Sequence, residues 1–350
     1  MVVMVTVALP RTTYIADVQA RPRIIAAWLF AVAGLVFAMV VVGGITRLTE
    51  SGLSIVKWNP IGGMVPPLNA AEWQAMFAAY KASPQYQLVN HGMTLAAFRG
   101  IFFWEWLHRL LGISIGIVFA VPLAVFVVLR WVPAGYGRRL TALLALGALQ
   151  GAVGWWMVAS GLVNRPSVAH ERLAVHLVNA LILMSGCLWT GLDLARIGAV
   201  RTGARQLISL RPMRWIVPFT ALLAVQIVWG AFTAGLRAGH ASDTWPLMFG
   251  QWIPPLGSLV NDPVSVQFVH RSLAYAVAIA ALLVAFVTFR AGAGKRSAAI
   301  ASLVVLQVTL GVLTILHGVP IALAATHQAV AALLVATTVW TAHWATRVKA

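Results

Sequence analysis

Four histidines stand where a histidine is hardest to accommodate. His108, His176, His270 and His327 lie in or at the edge of long apolar stretches of this 350-residue chain, where an unpartnered polar ring is costly and an ionisable side chain is a functional candidate by default. A lone imidazole in such a place most simply hydrogen-bonds a neighbouring helix. Four at recurring positions ask for a common explanation, and two facing imidazoles are the usual non-covalent hold on a b-type haem iron. Three residues before His108 stands Glu105, and three before His270 stands Gln267, a spacing that places each on the same helix face as its histidine. A carboxylate beside a haem can accept a proton or stabilise a developing cation, whereas an amide can only hydrogen-bond. That asymmetry makes the first half the reaction site and the second a resident electron carrier. The single cysteine, Cys187, excludes a disulfide framework, a cysteine-ligated cluster or zinc site and covalent haem, all of which need more than one thiol.

The elements that must hold these residues follow from the charges. With 61% hydrophobic and only 9% charged residues, the chain has too little polar surface for soluble domains and reads as an all-α polytopic membrane protein. Uncharged runs extend over 24–46, 110–129, 140–164, 173–192, 215–236 and 272–289, and each is long enough to cross about 30 Å of hydrocarbon at about 1.5 Å per residue. A longer run without Asp, Glu, Lys or Arg, 297–346, is divided by His317-Gly318-Val319-Pro320, a turn sequence. The expectation is eight transmembrane helices. The first starts too late and runs too long for a cleaved signal peptide, so no processing is expected.

A net charge of +17 is spread between apolar runs rather than gathered on one face, which argues for topology signals and against nucleic acid. With the amino terminus inside, the inner segments hold 16 of the 25 Lys and Arg residues against Asp17 and Asp193, a balance of +14, and the outer segments balance at +3. Positive charge resists translocation, so both termini are expected in the cytoplasm. The Pro- and Gly-rich connection from Arg47 to Arg99 then becomes an outer loop, of a length that usually carries function.

The two halves read as copies. Glu105-Trp-Leu-His108-Arg109 opens the second helix and Gln267-Phe-Val-His270-Arg271 the sixth; Gln150 and Gly154 in the third match Gln307 and Gly311 in the seventh. Gly52, Trp58, Pro60, Gly63, Pro66 and Pro67 in one outer loop are echoed by Gly239, Trp245, Pro246, Gly250, Pro254 and Pro255 in the other. An even number of helices per copy gives a parallel repeat about an axis along the membrane normal. The expected organisation is a tail (1–23), a first four-helix bundle (24–192), a linker (193–214) and a second four-helix bundle (215–346). The four histidines open the even-numbered helices, so they share one outer depth and pair as His108 with His176 and His270 with His327. Arg109 and Arg271, next to two of them, are candidate partners for haem propionates, with headgroup anchoring as the equal alternative. His91 and His240 are assigned to outer loops, His170 to the loop before His176, His317 to a turn, His343 to the inner interface and Cys187 to the core.

These residues resemble the haem A synthases. The resemblance covers nearly the whole chain and is carried by Gly43-Gly-Ile-Thr-Arg-Leu-Thr49, Ser51-Gly-Leu-Ser54, Trp58-Asn-Pro60, Pro66-Pro-Leu68, the Glu105 to Arg109 segment and Thr326-His327-Gln328. It implies oxidation of a methyl substituent of haem O to a formyl group, giving haem A for cytochrome oxidase. It also implies substrate haem O between His108 and His176, haem b between His270 and His327, and Glu105 as the catalytic carboxylate. The implied partners are a haem O synthase as supplier, an electron-transfer protein and the lipid bilayer; the oligomeric state stays open. Some bacterial members carry an outer-loop cysteine pair that this chain lacks, which puts it nearer the proteobacterial and mitochondrial branch. The address is a bacterial inner membrane, with the mitochondrial inner membrane as the alternative. A di-haem electron-transfer cytochrome linked to quinol is the competing function, and a transporter the more distant one.

Overall fold

The computed structural model describes residues 19–56, 62–162, 165–197 and 210–346. Trp58, Asn59 and Pro60, most of the amino-terminal tail and most of the linker lie outside the described residues. The described chain is helical: α1 (Pro22–Leu48), α2 (Ala70–Lys81), α3 (Pro84–Leu88), α4 (Leu95–Val128), α5 (Gly137–Ala159), α6 (His170–Ile197), α7 (Leu210–Gly235), α8 (Pro263–Arg290), α9 (Gly294–Leu316) and α10 (Ile321–Ala345). Eight of these, all but α2 and α3, are long and apolar enough to cross a membrane.

Charge spacing located the spans but placed several starts too late; α8 begins at Pro263, so Gln267, His270 and Arg271 lie inside it. α4 begins at Leu95, capped by the Thr94 side chain, so Glu105 and Arg109 lie inside the helix rather than at its opening. Counting from charge to charge stops at the first ionic residue, and here the two ions neutralise each other within the span. α6 begins at His170, which is therefore buried at a helix start and not in the preceding loop. The long connection between α1 and α4 is also more structured than its Pro and Gly content suggested. Asn69 caps α2 by accepting from the Glu72 N–H, and Ser83 caps α3 by accepting from that of Tyr86. These short helices press Phe77, Tyr80 and Tyr86 onto Phe98 and Phe102 of α4, forming an aromatic cap. Burial raises the Tyr80 phenol above its ordinary pKa, which keeps it a hydroxyl donor to Gln85 Oε1 at 3.0 Å.

Two further apolar clusters fill the spans, one among α1, α4, α5 and α6 and one among α7 to α10. α1, α6, α7 and α10 form the centre, with α4, α5, α8 and α9 outside them. At the end that carries the long loop, Glu50 and Arg237 both adopt left-handed backbone after α1 and α7 and pair with each other at 2.6 Å. At the opposite end Asp193 of α6 accepts from Arg139 of α5 at 2.6 Å and lies 3.1 Å from His343 Nε2 of α10. His343 is consequently 3% exposed, not interfacial, because a buried carboxylate supplies the partner that its ring needs.

Gly235, at the end of α7, has no room for a side chain: a Cβ there would meet the His170 side chain and come within 2.9 Å of the His170 backbone. Gly235→Val should push α6 and α7 apart and, as typical overpacking, cost about 1–3 kcal/mol. A lower thermal midpoint, read by reaction of the buried Cys187 thiol with a fluorogenic maleimide, is the expected result. An unchanged midpoint would contradict the close approach.

Candidate functional site

Each of the four histidines is laid against a glycine of the neighbouring helix. A Cβ on Gly43 of α1 would stand 3.1 Å from His108 Cε1, one on Gly154 of α5 2.9 Å from His176, one on Gly230 of α7 3.1 Å from His270, and one on Gly311 of α9 3.0 Å from His327. Any larger residue would displace the ring. Four residues before three of these glycines stands a glutamine that secures the histidine. Gln150 Nε2 donates to the His176 carbonyl at 3.1 Å, Gln226 Nε2 to the His270 carbonyl at 3.1 Å, and Gln307 Nε2 lies 3.2 Å from His327 Nε2. At the fourth, the residue before Gly43 by the same spacing is Met39. Gly154, Gly311, Gln150 and Gln307 were visible as a repeat, whereas Gly43, Gly230 and Gln226 were missed as ring partners. A search for glycine with glutamine four residues earlier, in the helix beside each histidine, would have found Gly230 and Gln226.

His108 lies within electrostatic range of His176, and His270 of His327. None of the four is fully covered by protein. The Nδ1 atoms of His270 and His327 are buried without a hydrogen-bond partner, an arrangement that is unfavourable unless something else occupies the space between the rings. Among the described residues no cluster of His, Cys, Asp or Glu suits a bare metal ion. A flat macrocycle whose iron takes one imidazole from each side fits this donor set.

Glu105 is 3% exposed and fully engaged. Its Oε2 accepts from Ser54 Oγ and from the Ile55 N–H, each at 2.7 Å, and its Oε1 accepts from Arg109 Nη2 at 2.5 Å and Nε at 3.1 Å. Arg109 also donates to the Ile55 carbonyl at 3.0 Å. In the second half the same two positions hold the loop differently. Gln267 Nε2 donates to the carbonyls of Ser242 and Gly239 at 2.9 and 3.2 Å, while Arg271 donates to those of Ser242 and Thr244 at 2.9 and 2.7 Å. The carboxylate gathers donors and the amide donates to acceptors, so the two loops present opposite backbone groups. The role of Glu105 as an anchor for the loop is thus on view, and Arg109 and Arg271 are occupied by loop carbonyls.

The remaining candidates separate cleanly. Cys187 is core. His170 Nε2 bonds the Val260 carbonyl at 2.8 Å, linking α6 to the second outer loop. His91, His240 and His317 lie in the connections.

Residues 26–339 match the profile of the COX15-CtaA family, described as cytochrome oxidase assembly protein. The chain belongs to this family. COX15-CtaA relatives of high similarity include a protein of Rhizorhabdus wittichii, 52% identical over 331 residues that cover 92% of this chain and 94% of the relative. Another, from Novosphingobium aromaticivorans, is 48% identical over 91% of this chain and 94% of its own length, and one from Caulobacter vibrioides is 46% identical over 93% and 96%. All three bear the name heme A synthase.

Removing the Glu105 carboxylate should be worse than losing one ordinary hydrogen bond, because it breaks the ion pair with Arg109 and takes the acceptor from the donors of Ser54 and Ile55. For Glu105→Ala the expected destabilisation approaches the about 3–5 kcal/mol typical of a broken buried pair, seen as a lower unfolding midpoint of the purified protein. A variant as stable as the parent would show that the anchor is unimportant to the fold.

Proposed function

We propose that this chain is a haem A synthase, an oxidoreductase that converts the methyl substituent of haem O to a formyl group and so provides haem A for cytochrome oxidase. The observation that carries this reading is that all four imidazoles are seated on glycines while only the first half has a buried carboxylate one helical turn from its histidine. A pure electron-transfer cytochrome needs two haem sites but has no use for that difference, and a transporter has no use for four glycine-seated imidazoles.

In this reading the chain is a parallel repeat, with 24–192 as the reacting unit and 215–346 as the electron-carrying one. His108 and His176 hold substrate haem O; His270 and His327 hold a resident haem b. When bound, that haem b supplies one-electron transfer to the reacting unit. The glycine seats fix both rings of each pair against helix backbone, which orients them before the ligand arrives. Glu105 stands over the first site with both oxygens hydrogen-bonded. It becomes a proton acceptor when Arg109 turns from Oε1 to a propionate of the substrate. Arg271 Nε, which is buried without a partner, is the donor left for a propionate of the resident haem. The charge split places the termini on the cytoplasmic side and the histidines toward the outer leaflet of a bacterial inner membrane. The partners in this reading are a haem O synthase as the supplier of substrate and an electron-transfer protein of open identity.

Glu105→Gln tests the chemistry. The amide keeps the shape and one acceptor but cannot take a proton, and its NH₂ cannot accept from Ile55. Haem b should remain and haem O should accumulate, with conversion slowed about a hundredfold to ten-thousandfold, the usual cost of losing a placed acid–base group. Extracted haems, separated by chromatography and identified by mass, give the ratio. Haem A made at the parent rate by a stable variant would refute the role of Glu105.

A further inference from the structure

The two bundles differ most on one side. α8 and α9 lie against each other along their length, whereas α4 and α5, though also joined by a short turn, touch only briefly. Burial at matching positions shows the same thing. Val277 and Val284 of α8 and Val304 of α9 are 5%, 2% and 2% exposed. Their counterparts, Ile115 and Pro122 of α4 and Gly147 of α5, are only partly covered. α5 buries just Leu140 and Leu143, near its start, while α9 buries residues from Ser297 to Thr314. One turn beyond Gly147 is Gly151, where an added Cβ would meet nothing within 4 Å. The loosely packed stretch between α4 and α5 is formed by the helix that carries His108 and the helix that carries Gly154, the seat of His176.

We propose that this α4–α5 cleft is a lateral portal, open to the bilayer, in which the isoprenoid chain of the haem substrate lies as the substrate moves in and the product moves out. The inference rests on the haem A synthase reading and adds the route and the seat of the chain. Haem O differs from haem b by a long hydrocarbon chain on one edge of the ring, and haem A keeps it. Drawing that chain through water would cost about 0.8 kcal/mol for each CH₂ exposed, so it must travel through lipid. Among the described residues the loop end is covered. Glu105 and Arg109 clamp Ser54 and Ile55, Trp106 donates to the Met64 carbonyl at 3.2 Å, and the aromatic cap covers α4. A gap between two helices facing lipid costs little when empty, because acyl chains fill it as well as side chains do. The unit assigned to haem b, which has no such chain, is closed at the same place.

The test is photocrosslinking in full-length protein in lipid nanodiscs, with a photoreactive amino acid at Gly151 and, as control, at its counterpart Val308 of α9. Haem O should give a covalent adduct at 151, by peptide mass, at least about tenfold above that at 308. Haem b, lacking the chain, should give none at 151. Haem O retained by the protein but unlinked at 151, or linked equally at 308, would overturn the portal and leave the synthase reading in place. Crosslinking of 151 to a second copy of the chain would also overturn it. Absence of haem O from the first unit altogether would sink the synthase reading and the portal with it.

Discussion

An imidazole inside a bilayer has to be kept neutral, held still and given something to bond, and water is not there to do it. The architecture answers this four times over with one device: a glycine in the adjacent helix removes the side chain that would push the ring away, and the ring then lies on helix backbone. The device ties α1 to α4, α5 to α6, α7 to α8 and α9 to α10. Helix pairs that approach this closely at one level cannot slide without losing the contact, so the histidine seats also set the register of both bundles. What the seats leave unmet, such as the bare Nδ1 atoms of His270 and His327, is what a ligand between the rings would resolve.

Placed on top of this common frame, one charge pair distinguishes the halves. Glu105 and Arg109 neutralise each other inside α4, which allows a carboxylate to be 3% exposed within a span; an unpaired one would be driven to protonate or leave the membrane interior. The same pair fixes the loop carrying Ser54 and Ile55. Gln267 and Arg271 do the equivalent work with neutral acceptors and leave Gln267 Oε1 and Arg271 Nε unpartnered.

Much of this was legible in the residues because membrane insertion writes its requirements in composition. Eight spans and the turn at His317 to Pro320 follow from where charge is absent. Reading from charge to charge failed where charges cancel, which hid the first part of α4 and placed Glu105 at a helix end. His343 failed for the same reason: its partner Asp193 is distant in sequence, so the buried Arg139–Asp193–His343 contact could not be seen from spacing. α2 and α3 were obscured by the Pro and Gly around them, although Asn69 and Ser83 are helix-capping residues. The seats at Gly43 and Gly230 were hidden because a membrane helix holds many glycines, and only a neighbouring ring shows which ones matter.

The central claim is that His270 and His327 together hold a resident haem b while His108 and His176 hold the substrate. Its most direct test is quantitative haem content with the low-spin electron paramagnetic resonance signal of purified His270→Ala, His327→Ala and His108→Ala proteins. The account predicts that the first two variants insert in the membrane but lose the bis-imidazole haem b signal, and that His108→Ala keeps it and loses haem O. Haem b content and signal at the parent level in both His270→Ala and His327→Ala would contradict it.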